Sequence, residues 1–292
     1  MNPEMSITCE AAEFTSNLKF EDLSRETLRI AGRCVLDGLG LMVAGSDQPC
    51  TQIVKRQSAQ LGNVPEATTL GVESTRMAAP LAALVNGTAG HAMDWDDTQL
   101  SVTPDRIYGL LTHPTIPPLA AGLAACEKLG KISGRDFLCA FVAGFEVECK
   151  IAEAMKPDHY KKGFHSSGTV GTFAAAMTAG KLLGLTPLRL RHALGAAASM
   201  AAGIRVSFGT MMKPVHVGRA AFNGLTASLW AADGFKASPD GLDGPWGFFQ
   251  VTAGGVDSEK IAGCFGSPFS IIDPGVSIKP YPCGVLTHPS MD

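Results

Sequence analysis

The sequence predicts a mainly α protein, with a large helical domain over residues 1–265 followed by the beginning of a smaller α/β lid over residues 266–292. Three observations predict this. Apolar residues recur at helical spacing through the first three-quarters of the chain. Ala and Gly crowd those stretches, as in GTFAAAMTAG and ALGAAASMAAG. After Phe235, the series Pro239, Gly241, Gly244, Pro245 and Gly247 ends the helical period, and β-prone pieces such as PFSIIDPGVSIKPY follow.

In chain order, LSRETLRIAGRCVLDGLGLMVAGSD places Leu28, Ala31, Val35 and Leu39 near one face, and Gly45 and Ser46 offer a stop. A second helix is expected from residue 77 to about residue 93. A third starts near Thr115, with its prolines in the opening turn, where a missing N–H matters least. Ser133 caps a fourth, through Phe137, Phe141, Phe145 and Val147. A fifth covers residues 168–185. Thr186 and Pro187 then form an N-cap and first-turn pair for a sixth, through Leu190, Ala193 and Ala197. A seventh is expected over residues 217–232. Each glycine inside these helices costs ~1 kcal/mol relative to Ala, and close approach of helix axes is the compensation that small faces allow.

Composition narrows the function. The chain has 292 residues, enough for a substantial core, and only 17% are charged against 46% hydrophobic, which excludes disorder. A net charge of -3 argues against nucleic acid, whose phosphates need a basic surface. No apolar run reaches the ~18 residues of a membrane span. The opening Met-Asn-Pro-Glu carries acid where a signal peptide has a basic region. Eight cysteines without a CxxC or CxxH pair give no zinc ribbon, thioredoxin motif or haem attachment, and reduced thiols in a cytoplasm are expected. Gly180-Lys181 is followed by Leu, so there is no Walker A motif; there is also no dinucleotide fingerprint and no GxSxG elbow.

Five stretches carry candidate chemistry. In His91-Ala-Met-Asp94-Trp-Asp96-Asp97-Thr98, a helical course would put His91, Asp94 and Asp97 or Thr98 on one face. A solvated acidic helix end and metal ligation by His91 with the carboxylates are the alternatives. The string DWDDT also matches the acid motif of class II terpene cyclases, but three Trp and three Tyr, beside several Lys and His, suit a carbocation poorly. His113, in THPT, and His165, in FHSSG, each precede a helix whose free N–H groups suit an anion. Lys213, in MMKPVHVGR, and Lys279, in IKPYPC, sit in apolar company and either snorkel to solvent or pair with a carboxylate. Together, two ammonium groups, two imidazoles and an acidic face suggest a pocket for a polycarboxylate.

In order, VNGTAGHAMDWDDT, LTHPT, GFHSSGTVGTFAAA, KPVHVGRAAFNG and IKPYPCGVLTH resemble the MmgE/PrpD family over nearly the whole chain from about residue 20. That family includes 2-methylcitrate dehydratase, cis-aconitate decarboxylase and iminodisuccinate epimerase. The resemblance implies a large helical domain with a smaller α/β lid, a site between them, and a homodimer. It implies a lyase acting on a small polycarboxylic acid, or alternatively an epimerase of an amino- or imino-dicarboxylate, or a family member without catalysis. Carried over by motif, the catalytic groups fall on Asp94, Thr98, His113, His165, Lys213 and Lys279, with His91, Asp97, Tyr281 and Cys283 as substrate-binding candidates. Lys213 and Lys279 would hold substrate carboxylates, His113 and His165 would carry protons, and Asp94 and Thr98 would orient them, unless Asp94 is itself the base. No metal or organic cofactor is expected. The stretch from Thr98 to His113 is longer than in the animal decarboxylases, and family members continue beyond Asp292, so the lid is expected to be incomplete.

Overall fold

The computed structural model describes residues 6–62, 64–101 and 110–292, so the opening Met-Asn-Pro-Glu and most of the long stretch before His113 lie outside the described residues. The chain is mainly helical. The helices are α1 (Ile7–Asn17), α2 (Arg25–Ala44), α3 (Pro49–Leu61), α4 (Ala79–His91), α5 (Ile116–Leu129), α6 (Gly134–Ala154), the short α7 (Asp158–Lys161), α8 (Ser166–Leu182), α9 (Pro187–Met200), α10 (Met212–Ala232) and α11 (Phe248–Ala253). Strands β1 (Ala67–Thr68) and β2 (Arg76–Met77) form one antiparallel pair, and β3 (Gln99–Leu100) and β4 (Leu110–Thr112) form another.

The caps read from sequence form as expected. Ser133 and Thr186 each accept a hydrogen bond from a backbone N–H of the first turn of α6 and α9, and Gly45 closes α2, whose start is capped in the same way by Ser24. Helices α1 and α3 add two that the apolar period had not marked. α10 starts at Met212 rather than Val217, which brings Lys213 and His216 into its first turns. The β-prone PFSIIDPGVSIKPY forms no strand. Three prolines (268, 274 and 280) remove donors from it, and its ladder contact is a single bridge between Thr98 and Ser277. This segment lies on the helical body: Ile271 is buried in the main core, and Phe265 and Phe269 pack on Phe14 of α1.

Three helices form the centre. α10 packs along α8 and α4, and both α4 and α8 are buried nearly all round, which their lack of a polar face anticipates. Small residues make this possible. A Cβ on Gly87 would come 2.8 Å from Gly218 Cα, and one on Gly218 would come 2.4 Å from the Leu84 carbonyl. A Cβ on Gly224 would come 2.5 Å from the Thr172 carbonyl of α8. The close approach expected of the Ala- and Gly-rich helices is therefore present at these crossings. It also sets the site, because the C-terminus of α4 meets the N-termini of α5, α8 and α10 at one end of the bundle.

Candidate active site

The HAMDWDDT stretch does not continue α4. The helix ends at His91, and Asp94 takes a left-handed conformation with φ 52°, so His91, Asp94 and Asp97 do not share a helical face. The three acids instead diverge. Asp96 turns back under the helix, both of its oxygens 2.8 Å from His91 Nδ1. Asp97 sits at the start of α5, where it accepts from Thr115 Oγ1 at 2.6 Å and Thr115 N at 3.3 Å. An acid that looked misplaced at a helix C-terminus thus serves the start of the next helix, where its oxygens accept from Thr115.

Asp94 faces a cavity of ≈ 260 Å3. Thr98 and Ser277 exchange backbone hydrogen bonds of 2.9 Å each, which carries Lys279 up to the same turn. There Trp95 Nε1 donates to the Lys279 carbonyl at 3.0 Å, and Lys279 Nζ donates to the Asp94 carbonyl at 2.6 Å and to Oδ1 at 3.2 Å. From the first turn of α10, Lys213 Nζ reaches the same Oδ1 at 2.8 Å. Two ammonium groups 66 residues apart in sequence thus share one carboxylate oxygen.

His113 Nδ1 lies 2.8 Å from the Asp97 carbonyl, which can only accept, so the neutral ring carries its hydrogen there and leaves Nε2 bare. That Nε2 stands 3.8 Å from Asp94 Oδ1. His165 is the N-cap of α8, its ring against the edge of Phe208. His91 lies between the two imidazoles, edge-on to His113 at 4.9 Å and stacked on His165 at 5.6 Å. Ser166 and Ser167 open α8 and line the cavity, so the positive end of that helix adds to the field of the lysines.

The ionisation states follow from this packing. Burial pushes the Asp94 carboxyl up, but His113, Lys213, His91 and Lys279 outweigh burial and hold it well below the usual range. Burial likewise opposes the Asp96 charge, and His91 and His113 overcome it, bringing Asp96 to about 2. Burial lowers His113 to about 4 in spite of Asp96. His165 falls well below its ordinary value, through burial first and then the electrostatic influence of its neighbours, the Lys213 ammonium among them. At neutral pH the cavity therefore holds an ionised Asp94 and two uncharged imidazoles.

All six residues expected to be catalytic, Asp94, Thr98, His113, His165, Lys213 and Lys279, line this one cavity. The four substrate-binding candidates are not among its lining residues. His91 is buried behind it on Asp96, and Asp97 is taken up by Thr115. Tyr281 bonds Asp292 at 3.0 Å, and Cys283 accepts from Thr287 at 3.0 Å; their neighbours Gly284 and Val285 form the wall instead. Sequence reading passed over Phe208, in an irregular stretch without a period, and His216, three residues after Lys213, which a helix starting at 217 left outside. Each of His91, Asp94, Asp96 and His113 offers a ligand atom, all within 4.8 Å of one another, so this group could hold a cation, although the ammonium groups of Lys213 and Lys279 would compete for Asp94.

The sequence profile of the MmgE/PrpD N-terminal domain matches residues 10–260. The chain belongs to the MmgE/PrpD family. Among its relatives, the cis-aconitate decarboxylase of Homo sapiens is 32% identical over 288 residues, covering 97% of this chain and 58% of the relative. The enzyme of that name from Mus musculus is 31% identical over 287 residues (97% and 57%), and the one from Aspergillus terreus is 31% identical over 301 residues (98% and 59%). The chain therefore spans under three-fifths of the length of the curated relatives it matches. Among the described residues, no helix of this MmgE/PrpD chain is long and apolar enough to cross a membrane.

Proposed function

We propose that this chain carries the reaction centre of a cofactor-independent lyase that removes CO2 or water beside a carboxylate of a small polycarboxylic acid, with decarboxylation of a cis-aconitate-like substrate as the first reading. The observation that carries it is the shared oxygen of Asp94: two ammonium groups converge on a carboxylate beside a cavity that also presents two neutral imidazoles. The names of the relatives support the decarboxylase branch.

In this reading Lys213 and Lys279 hold substrate carboxylates and stay fixed as charge moves onto one of them. When the bond to the departing CO2 breaks, its electron pair spreads through the adjacent double bond into a second carboxylate, and a proton must reach carbon. Preorganised positive charge in a partly dry site stabilises that developing charge most. Asp94, held strongly acidic by its partners, is a poor base and serves to orient the lysines. His113, with Nε2 bare, and His165 exchange the protons. A bound polyanion raises both of their pKa values, so the site takes up a proton with its ligand. Dehydration uses the same parts, with one imidazolium protonating the departing hydroxyl. A homodimer and a reducing cytoplasm complete the proposal, the latter on eight unpaired cysteines.

Proton NMR in D2O with cis-aconitate, 2-methylcitrate and iminodisuccinate tests the reading. Loss of CO2 from the first, with one deuteron entering the product, is the expected result, and loss of water from the second is the dehydratase form. Two imidazoles, one in the turn before α5 and one at the N-cap of α8, also suit two-base proton exchange, so deuterium wash-in without loss of a group would establish the epimerase reading instead. No change in any of the three refutes catalysis on these substrates.

A further inference from the structure

We propose that His216 is the positioning residue for His165, holding that ring so that Nε2 faces the cavity and fixing which of its nitrogens carries the hydrogen. The inference rests on the proposed lyase chemistry for its kinetic consequence but not for its structural one. His165 Nδ1 and His216 Nδ1 stand 3.1 Å apart, with the rings 5.3 Å between centroids and tilted by 54°. Both residues are buried, at 3% and 5% exposure. A hydrogen bond between two ring nitrogens needs one N–H and one lone pair, so the two Nδ1 atoms hold one hydrogen between them. Whichever ring donates, the protonation of the other nitrogen of His165 is decided by that bond. With Nδ1 engaged, Nε2 is the atom His165 offers to the cavity it lines.

The surroundings hold His216 still. A Cβ on Gly168 would come 2.9 Å from His216 Cβ, and one on Gly203 would come 3.2 Å from Cγ and 3.3 Å from Nδ1, so two glycines press on this side chain. The Gly203 carbonyl also accepts from the His165 backbone N–H at 3.0 Å, which fixes the two imidazole residues against one another. On its other sides His165 meets Phe208 and His91. His216 lies one helical turn beyond Lys213 on α10, so one stretch of helix sets both an ammonium on Asp94 and an imidazole on His165.

The test compares His216→Ala, His216→Asn and His216→Gln in the full chain. Asn places an amide where Nδ1 stood, whereas Gln reaches toward Nε2. In long-range 1H–15N spectra of protein with 15N-labelled histidine, the parent should show His165 as a single tautomer. His216→Ala should show it averaged, and His216→Asn should show it fixed again. Turnover of the substrate found above should fall by about 10–100-fold in kcat in His216→Ala, the range for losing a partner that orients a reactive group. KM should change by less than about threefold, and the Asn variant, but not the Gln variant, should recover most of the loss. In a His165→Gln background, His216→Ala should cost less than about twofold more, because the two act as a unit. An unchanged His165 tautomer in His216→Ala overturns the proposal whether or not any substrate turns over, as does an Asn variant no better than Ala. If the spectra behave as stated while no lyase activity is found, the positioning stands and the lyase reading fails.

Discussion

Replacing Lys213 with Met removes a charge while keeping most of the side-chain stem. Nζ lies 2.8 Å from Asp94 Oδ1 and the side chain is 16% exposed, so the group works in a partly desolvated setting. At an effective dielectric constant of about 20, a unit charge at such a distance attracts a carboxylate by about 6 kcal/mol before desolvation is counted. Much of that attraction acts on bound substrate and transition state alike and leaves kcat untouched. The part that grows as negative charge develops matches the loss of one preorganised donor, about 3–4 kcal/mol, or ~10²–10³ in kcat/KM. Lys279 still pairs with Asp94 in Lys213→Met, so the fold should lose only about 1 kcal/mol. That corresponds to a Tm shift of about 2–4 °C for a chain of this size. Steady-state turnover of the substrate identified by NMR, with a thermal melt of the same sample, measures both. A folded Lys213→Met protein with kcat/KM within threefold of the parent would refute the assignment of Lys213 to the reacting centre.

Asp97 supplies a prediction on pH. Burial raises its carboxyl to about 7, against the bonds from Thr115, so the folded state holds the proton more tightly than the unfolded chain does and stability is lost as pH rises toward and through 7. Asp97→Asn cannot titrate. Relative to the parent it should gain about 3 kcal/mol between pH 5 and pH 8 in denaturant unfolding, and parallel pH curves for the two proteins would contradict the buried, neutral carboxyl. The glycines give a matched pair. Gly218→Ala drives a methyl into the Leu84 carbonyl and should cost about 1–3 kcal/mol or more by overpacking, whereas Gly32→Ala on the open face of α2 should gain about 0.5–1 kcal/mol. Equal effects on Tm would show that the helices do not cross as closely as described.

Much of this fold was legible because its signals are local. Ser133 and Thr186 each satisfy a first-turn N–H from their own side chains, which sequence displays directly. Lys213 and Lys279 stood out because ammonium groups in apolar company need partners, and His113 and His165 because each precedes a helix, although only the structure shows that the two lysines share one oxygen of Asp94. What stayed hidden depends on distant packing. Asp94 adopts a positive φ and its carbonyl accepts from Lys279, 185 residues away, and no local pattern announces that contact. His216 escaped because the first turn of α10, rich in Met and Pro, does not read as helix until it packs on α4 and α8. Residues 266–292 read as β-prone, yet their prolines and their contacts with the helical body leave a bridge at Ser277 as their one ladder pairing.

Calorimetric titration with an unreactive propane-1,2,3-tricarboxylate, on the parent protein and on a Lys213→Met/Lys279→Met double variant of unchanged helicity, addresses the arrangement of charge most directly. The parent should bind with uptake of a proton, seen as a heat that depends on the buffer, and the double variant should bind at least about 100-fold more weakly, the cost of losing paired, partly desolvated charges. Equal affinity in the two proteins, without proton uptake, would mean that these lysines and imidazoles do not form a polycarboxylate site.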